Sequence, residues 1–101
     1  MSRQRKEQGF AFGITLIGPQ TYYDWHQHPA VETYACLSPE SKWGLNHAPL
    51  TKRPVGTVIL HPSNAPHAME TGEYPLLAPW LWTGNIDSPA RMEGSGENSP
   101  Q

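Results

Sequence analysis

Large and small side chains alternate from Phe10 onward: Phe10, Phe12, Ile14 and Leu16 fall on one face, with Ala11, Gly13 and Thr15 on the other. Residues two apart share a face of an extended chain, so this period predicts a strand, and Gly18-Pro19 ends it. A second extended segment covers residues 22–37, interrupted near Pro29, and residues 38–41 make a turn. Residues 43–46 suit a short strand before a polar loop over 47–54. Residues 55–60 are β-branched and apolar, again a strand. Residues 61–66 form a turn cluster in which Asn64 tolerates a positive φ. Residues 67–71 and 76–82 are the last strands, with a turn over 72–75 between them. No segment carries three turns of helical periodicity. The pattern predicts an all-β chain folded as a small antiparallel barrel or sandwich.

Composition sharpens this picture. A chain of 101 residues makes one domain. With 16% charged residues, 11 prolines and 9 glycines, it is neither a coiled coil nor a helix bundle. The charge balance is 7 − 9 = −2, without the basic stripe that nucleic-acid binding needs. The apolar stretch 10–18 falls short of the roughly 20 residues of a membrane span, and no small-residue cleavage site follows it. A single cysteine, Cys36, forms no internal disulfide and suits a reducing compartment. A cytoplasmic location is expected. The expected organisation is a flexible N-terminus over 1–8, a barrel over 9–87 and a disordered tail over 88–101.

The chemistry concentrates in Tyr23-Asp24-Trp25-His26-Gln27-His28-Pro29-Ala30-Val31-Glu32-Thr33-Tyr34. His26, His28, Glu32 and Tyr34 all fall on even positions, so an extended chain can line one surface with them. Imidazole and carboxylate together suit a borderline divalent cation, and such a set leaves positions open for substrate. His67 follows a Pro-rich turn, where the chain can re-enter beside the first strand. His47 and His61 have no pattern around them and read as surface residues; Asp24 reads as an exposed turn residue. Cys36 continues the even face and reads as a buried, inert thiol.

These two segments resemble the paired motifs of the cupin superfamily, small β-barrels that hold one metal inside. His26, His28 and Glu32 match the first motif, and Gly56, Pro62 and His67 match the second. Asn64, Pro39 and Thr71 stand where the motifs have glycine, glycine and asparagine. The resemblance covers residues 14–86 and implies a jelly-roll-like cupin barrel, lacking N-terminal segments of longer relatives. Within the superfamily, Tyr23, Tyr34 and the run Pro75-Leu76-Leu77-Ala78-Pro79-Trp80-Leu81-Trp82-Thr83-Gly84 resemble the lyases that cleave dimethylsulfoniopropionate to dimethyl sulfide and acrylate. The resemblance implies one divalent metal, Fe(II), Zn, Mn, Ni or Co, on His26, His28, Glu32 and His67. It implies Tyr34 as catalytic base, and in some relatives the equivalent tyrosine also ligates the metal.

The residue types suit that reaction. A cation on the substrate carboxylate spreads the charge that develops when the α-proton leaves. The aromatic faces of Tyr23, Trp80 and Trp82 offer cation–π attraction to the sulfonium, although a Trp pair on one strand face also packs cores, and at least one of the two is expected to do so. The expected partner is a small sulfonium carboxylate, with neither nucleic acid nor membrane, and sheet edges left by missing strands would favour a homodimer. Two rival readings keep the barrel: a generic metal cupin of dioxygenase or isomerase type, and a small-molecule binding module without turnover.

Overall fold

The structure is a computed structural model and describes residues 9–92. Its strands are β1 (Gly9–Ile17), β2 (Tyr22–Gln27), β3 (Val31–Ala35), β4 (Ser41–Leu45), β5 (Thr51–Arg53), β6 (Val58–His61), β7 (His67–Glu70), β8 (Leu76–Gly84) and β9 (Arg91–Met92). One sheet runs β1-β8-β3-β6 and the other β5-β4-β7-β2-β9, with every pairing antiparallel. The chain crosses between sheets at most connections, and β1 to β8 give the strand order of a jelly roll. No helix among the described residues is long and apolar enough to cross a membrane.

Several boundaries differ from the sequence pattern. The expected strand over 55–60 begins only at Val58, because Gly56 takes a positive φ of 96° in a turn before it. The expected loop over 47–54 contains β5, whose three exposed residues carry no alternation to read. Arg91 and Met92, within the stretch assigned to a tail, pair with Gln27 and His26 of β2. The expectations for residues 1–8 and 93–101 lie outside the described residues.

Which side of each strand faces inward is set by what the interior must hold. On β1 the inward residues are the small ones. Phe10, Phe12, Ile14 and Leu16 face out, each at least 62% exposed. Gly13 lies opposite Trp80, and the indole fills the space that a side chain would take. Across the sheet, Glu32 pairs with His61 and Trp82, and Tyr34 with Ile59 and Trp80. On the facing sheet, His67 pairs with His26 and Leu45, and Met69 with Tyr23 and Trp43. The interior is therefore layered. One layer is polar, with Glu32 and imidazoles; beyond it lies an apolar cluster of Tyr34, Cys36, Trp43, Met69, Leu76 and Ala78. Cys36 is fully buried, its sulfur 3.4 Å from the Ser38 carbonyl and 3.2 Å from the Ser41 hydroxyl.

A Cβ on Gly13 would stand 2.6 Å from Trp80 Cζ2, whereas one on Gly18 would meet nothing closer than Thr21 Oγ1 at 3.9 Å. Gly13→Ala is expected to destabilise the fold by about 1–3 kcal/mol through overpacking, with Gly18→Ala a near-neutral control. Urea denaturation checks this, and equal midpoints for the two variants would contradict the close approach.

Candidate metal centre

Pro29 bends the chain between β2 and β3 without breaking the shared face. His26, His28, Ala30, Glu32, Tyr34 and Cys36 are all buried, while their odd-numbered neighbours are only partly so. A register shift between Tyr23 and His26 marks an irregularity in β2, where such bulges re-aim side chains. The turn before β7 is closed by the Asn64 N–H, which donates to the His28 carbonyl at 2.7 Å, with Asn64 at φ 58°. Asn64 thus fills the left-handed position that the motif gives to glycine. Thr71, where the motif has asparagine, ties the start of β2 down: its hydroxyl donates to the Gly18 carbonyl and accepts from the Thr21 N–H.

Main-chain carbonyls orient the imidazoles. Nδ1 of His26 lies 2.8 Å from the Asp24 carbonyl, Nδ1 of His28 3.0 Å from that of Ala30, and Nδ1 of His67 2.9 Å from that of Ala65. A carbonyl only accepts, so each Nδ1 must carry the proton and each neutral ring turns a lone pair outward from Nε2. Nε2 of His28 and of His67 point at Glu32 Oε1, at 3.1 and 3.3 Å. Burial alone would raise the Glu32 pKa. The Trp82 indole N–H, donating to the other carboxylate oxygen, works against that and favours the ionised form. Three acceptors therefore converge on one buried point. His67 Nε2 has no hydrogen-bond partner at all.

Positive charge at that point resolves the conflict, and a divalent cation satisfies all three acceptors at once. The ligating atoms of His28, Glu32 and His67 lie within 4.8 Å of one another, so these three residues fit a metal. The second carboxylate oxygen is fixed separately, accepting the Trp82 indole N–H at 2.8 Å. Such an outer hydrogen bond orients a ligating carboxylate.

His26 stands at the side of this set rather than within it. Its ring centroid is 4.2 Å from that of His67, and it stacks on Tyr23 at 4.1 Å. Tyr23, Tyr34, Trp80 and Trp82 line a cavity of about 170 Å³ together with His26, His28 and Glu32. That volume admits only a small molecule. Trp80 also packs against the apolar cluster, so this indole serves both core and cavity, whereas Trp82 is held over His28 at 4.4 Å. Tyr22 points the other way and is half exposed. Burial first, and then the nearby Glu32 charge, raise the Tyr34 phenol far above its ordinary pKa, while Thr15 acts in the opposite direction.

Two residues correct the sequence reading. His61, taken for a surface residue, is 1% exposed and stacks on His67 at 3.9 Å. Its cross-strand pairing with Glu32 is a tertiary fact that no local spacing encodes. Thr15 also lines the cavity, from the small-residue face of β1; alternation placed it opposite the large side chains but gave no hint of a site. His47 is exposed and leans on Trp25, with ring centroids 4.6 Å apart and the planes tilted by 40°.

An antiparallel jelly roll with histidines and a glutamate converging inside defines a cupin. A cupin-like protein from Thermotoga maritima shares the fold, with a TM-score of 0.71 at 16% identity over 93% of this chain and 71% of the other. Residues 2–78 match the dimethylsulfoniopropionate lyase family, and the chain belongs to it. The chain is 37% identical over 67 residues to the dimethylsulfoniopropionate lyase DddQ of Ruegeria pomeroyi, covering 66% of this chain and 33% of the relative. The crystal structure of that lyase superposes with a TM-score of 0.78 at 30% identity, covering 86% of this chain and 44% of the other. A structure reported for the lyases RdDddP and RnDddQII gives 0.76 at 34% identity, over 85% and 45%. The chain thus spans a third to under a half of the lyases that it matches.

Burial, with the neighbouring His67 next, lowers the His26 pKa from 6.5 to about 4. The folded, metal-free protein therefore resists protonation that the unfolded chain accepts. Stability from this group is present above about pH 6.5 and lost as the pH falls toward 4, amounting to up to about 3 kcal/mol. Urea denaturation of metal-free protein across that window checks the slope, and His26→Leu is expected to flatten it. A flat profile in the parent protein would mean that folding leaves the proton affinity of His26 unchanged.

Proposed function

We propose that this chain cleaves dimethylsulfoniopropionate to dimethyl sulfide and acrylate by β-elimination. The observation that carries the reading is the convergence of three buried acceptors beneath a small aromatic cavity that Tyr34 also lines, in a chain of this lyase family. In this reading His28, Glu32 and His67 hold one divalent metal, with His26 beside them as the fourth ligand; Fe(II), Zn, Mn, Ni and Co all suit such donors. When bound, the cation supplies Lewis acidity toward the substrate carboxylate and favours ionised forms of the groups around it.

The residues of the chain divide the remaining work. The faces of Tyr23, Trp80 and Trp82 hold the sulfonium by cation–π attraction. Tyr34 Oη takes the α-proton as general base. The C–H pair becomes the new carbon–carbon double bond, and sulfur leaves with the electrons of its bond to Cβ. The single, buried Cys36 is in keeping with a reducing compartment, and the cytoplasm is the one we assign. A binding module without turnover is the second reading, and the raised pKa of Tyr34 favours it, because a neutral phenol removes no proton.

Headspace detection of dimethyl sulfide over metal-loaded protein separates the two readings. The parent protein is expected to release it. Tyr34→Phe should fold, keep its metal unless Tyr34 is itself a ligand, and lose at least about 10²–10⁴-fold in turnover. His28→Ala should lose both metal and turnover. Silence from a parent protein with full metal content would leave the binding module, and near-parental release from Tyr34→Phe would remove it as the base.

We further infer a homodimer through the outer face of the β1-β8-β3-β6 sheet. One row across this face reads Phe12, Leu81, Thr33, Leu60, and its registers bring no charged side chain onto it. A face without charge matches a second copy of itself across a twofold axis. Its large apolar side chains, from Phe12 and Leu16 at 73% exposed to Leu77 at 38%, offer on the order of 800 Å², the share of one partner in a standard interface. Light scattering during gel filtration is expected to give a dimer, with Phe12→Glu a folded monomer. A monomeric parent protein would rule the dimer out and leave the face to another segment of a longer chain.

A further inference from the structure

Among the imidazoles of the polar layer, His26, His28 and His67 have their tautomer dictated by a main-chain carbonyl. His61 does not. It lies at the end of β6, 1% exposed, and neither Nδ1 nor Nε2 has a hydrogen-bond partner. Leaving a buried imidazole unpaired costs stability, a cost that an apolar residue of similar size would avoid. The ring is tightly held: it stacks on His67 at 3.9 Å and 22°, and meets Tyr34 edge-on at 5.5 Å and Trp43 at 6.2 Å. In this position its Nδ1 is 3.9 Å from Glu32 Oε1, the oxygen that His28 and His67 also face.

The needs of these two residues are complementary. Glu32 Oε2 already accepts from Trp82, while every other nitrogen close to Oε1 presents a lone pair. Oε1 lacks a donor, and His61 is the one neighbouring ring free to protonate Nδ1 while remaining neutral. We propose that His61 is a positioning residue of the metal centre: it donates Nδ1–H to Glu32 Oε1, so that this carboxylate is oriented by a donor on each oxygen. A small inward movement of Oε1 or of the ring closes the remaining distance. Supports of this kind orient metal ligands and raise their effective affinity. The inference rests on the reading that His28, Glu32 and His67 hold a metal.

The test is zinc affinity by chelator competition, with the absorption spectrum of the cobalt form as a second readout. His61→Asn keeps an amide nitrogen near the position of Nδ1, His61→Gln carries it out toward Nε2, and His61→Phe fills the space with no donor. The Phe and Gln variants are expected to lose about 10–100-fold in zinc affinity, and the Asn variant to recover most of it. Cobalt band positions should stay as in the parent protein, because the ligand set is unchanged. Should the Phe variant not fold, the Asn–Gln comparison carries the same test. Parental affinity in the Phe variant, or in the Gln variant should Phe not fold, would overturn the proposal, as would an Asn variant as weak as Gln. Shifted cobalt bands would make His61 a ligand instead. A parent protein that binds no metal would overturn the metal reading, and this inference with it.

Discussion

Three hydrogen-bond acceptors aimed at one buried point are the constraint around which this barrel is organised. Neutral imidazoles whose Nδ1 protons are committed to carbonyls turn lone pairs toward an ionised Glu32. Left to themselves these groups repel, and no rotation of the rings is free, because each is pinned by the main chain two residues away. The arrangement costs folding free energy that a cation returns on binding. The turn at Asn64 and the pairing of β3 with both β6 and β8 hold the acceptors at this meeting point.

That constraint explains an apparent inversion of the hydrophobic pattern. An interior holding four histidines, a glutamate and several tryptophan and tyrosine rings has no room for further bulk, so β1 contributes Ala11, Gly13 and Thr15 to it. The large side chains of β1 are turned to the outside of the sheet. In an ordinary sandwich the same alternation would bury the phenylalanines. Here the volume of Trp80 against Gly13 decides which side faces in, and the exposed apolar face is the consequence.

Strand periodicity and turn residues made most of the architecture legible, because a period of two and a Gly-Pro or Pro-rich break are local signals. The even positions from His26 to Cys36 also carried through, since Pro29 bends the chain without shifting the parity. β5 and β9 were not legible, as three exposed residues and a two-residue edge pairing leave no periodic trace. His61 escaped for a different reason. Its place opposite Glu32 depends on the register between β3 and β6, and register is fixed by the whole sheet. The direction in which β1 faces was likewise a property of the partner strand, whose Trp80 is 67 residues further along the chain.

The same layering bears on how readily Tyr34 ionises. Tyr34 follows Glu32 by two residues and shares its face, so the ring sits where the polar layer gives way to the apolar one. Burial opposes its ionisation, and the Glu32 charge opposes it further. The carboxylate that helps to make the site thus adds to what burial already does to keep the phenol protonated. A cation matching that charge would remove the second opposition. Metal affinity and phenol acidity are then linked through one residue: whatever strengthens the hold of Glu32 on a cation also lowers the cost of ionising Tyr34. This coupling follows from the order Glu32, Thr33, Tyr34 on a single strand. It gives the tyrosine a reason to stand beside the glutamate that cross-strand packing alone would not supply.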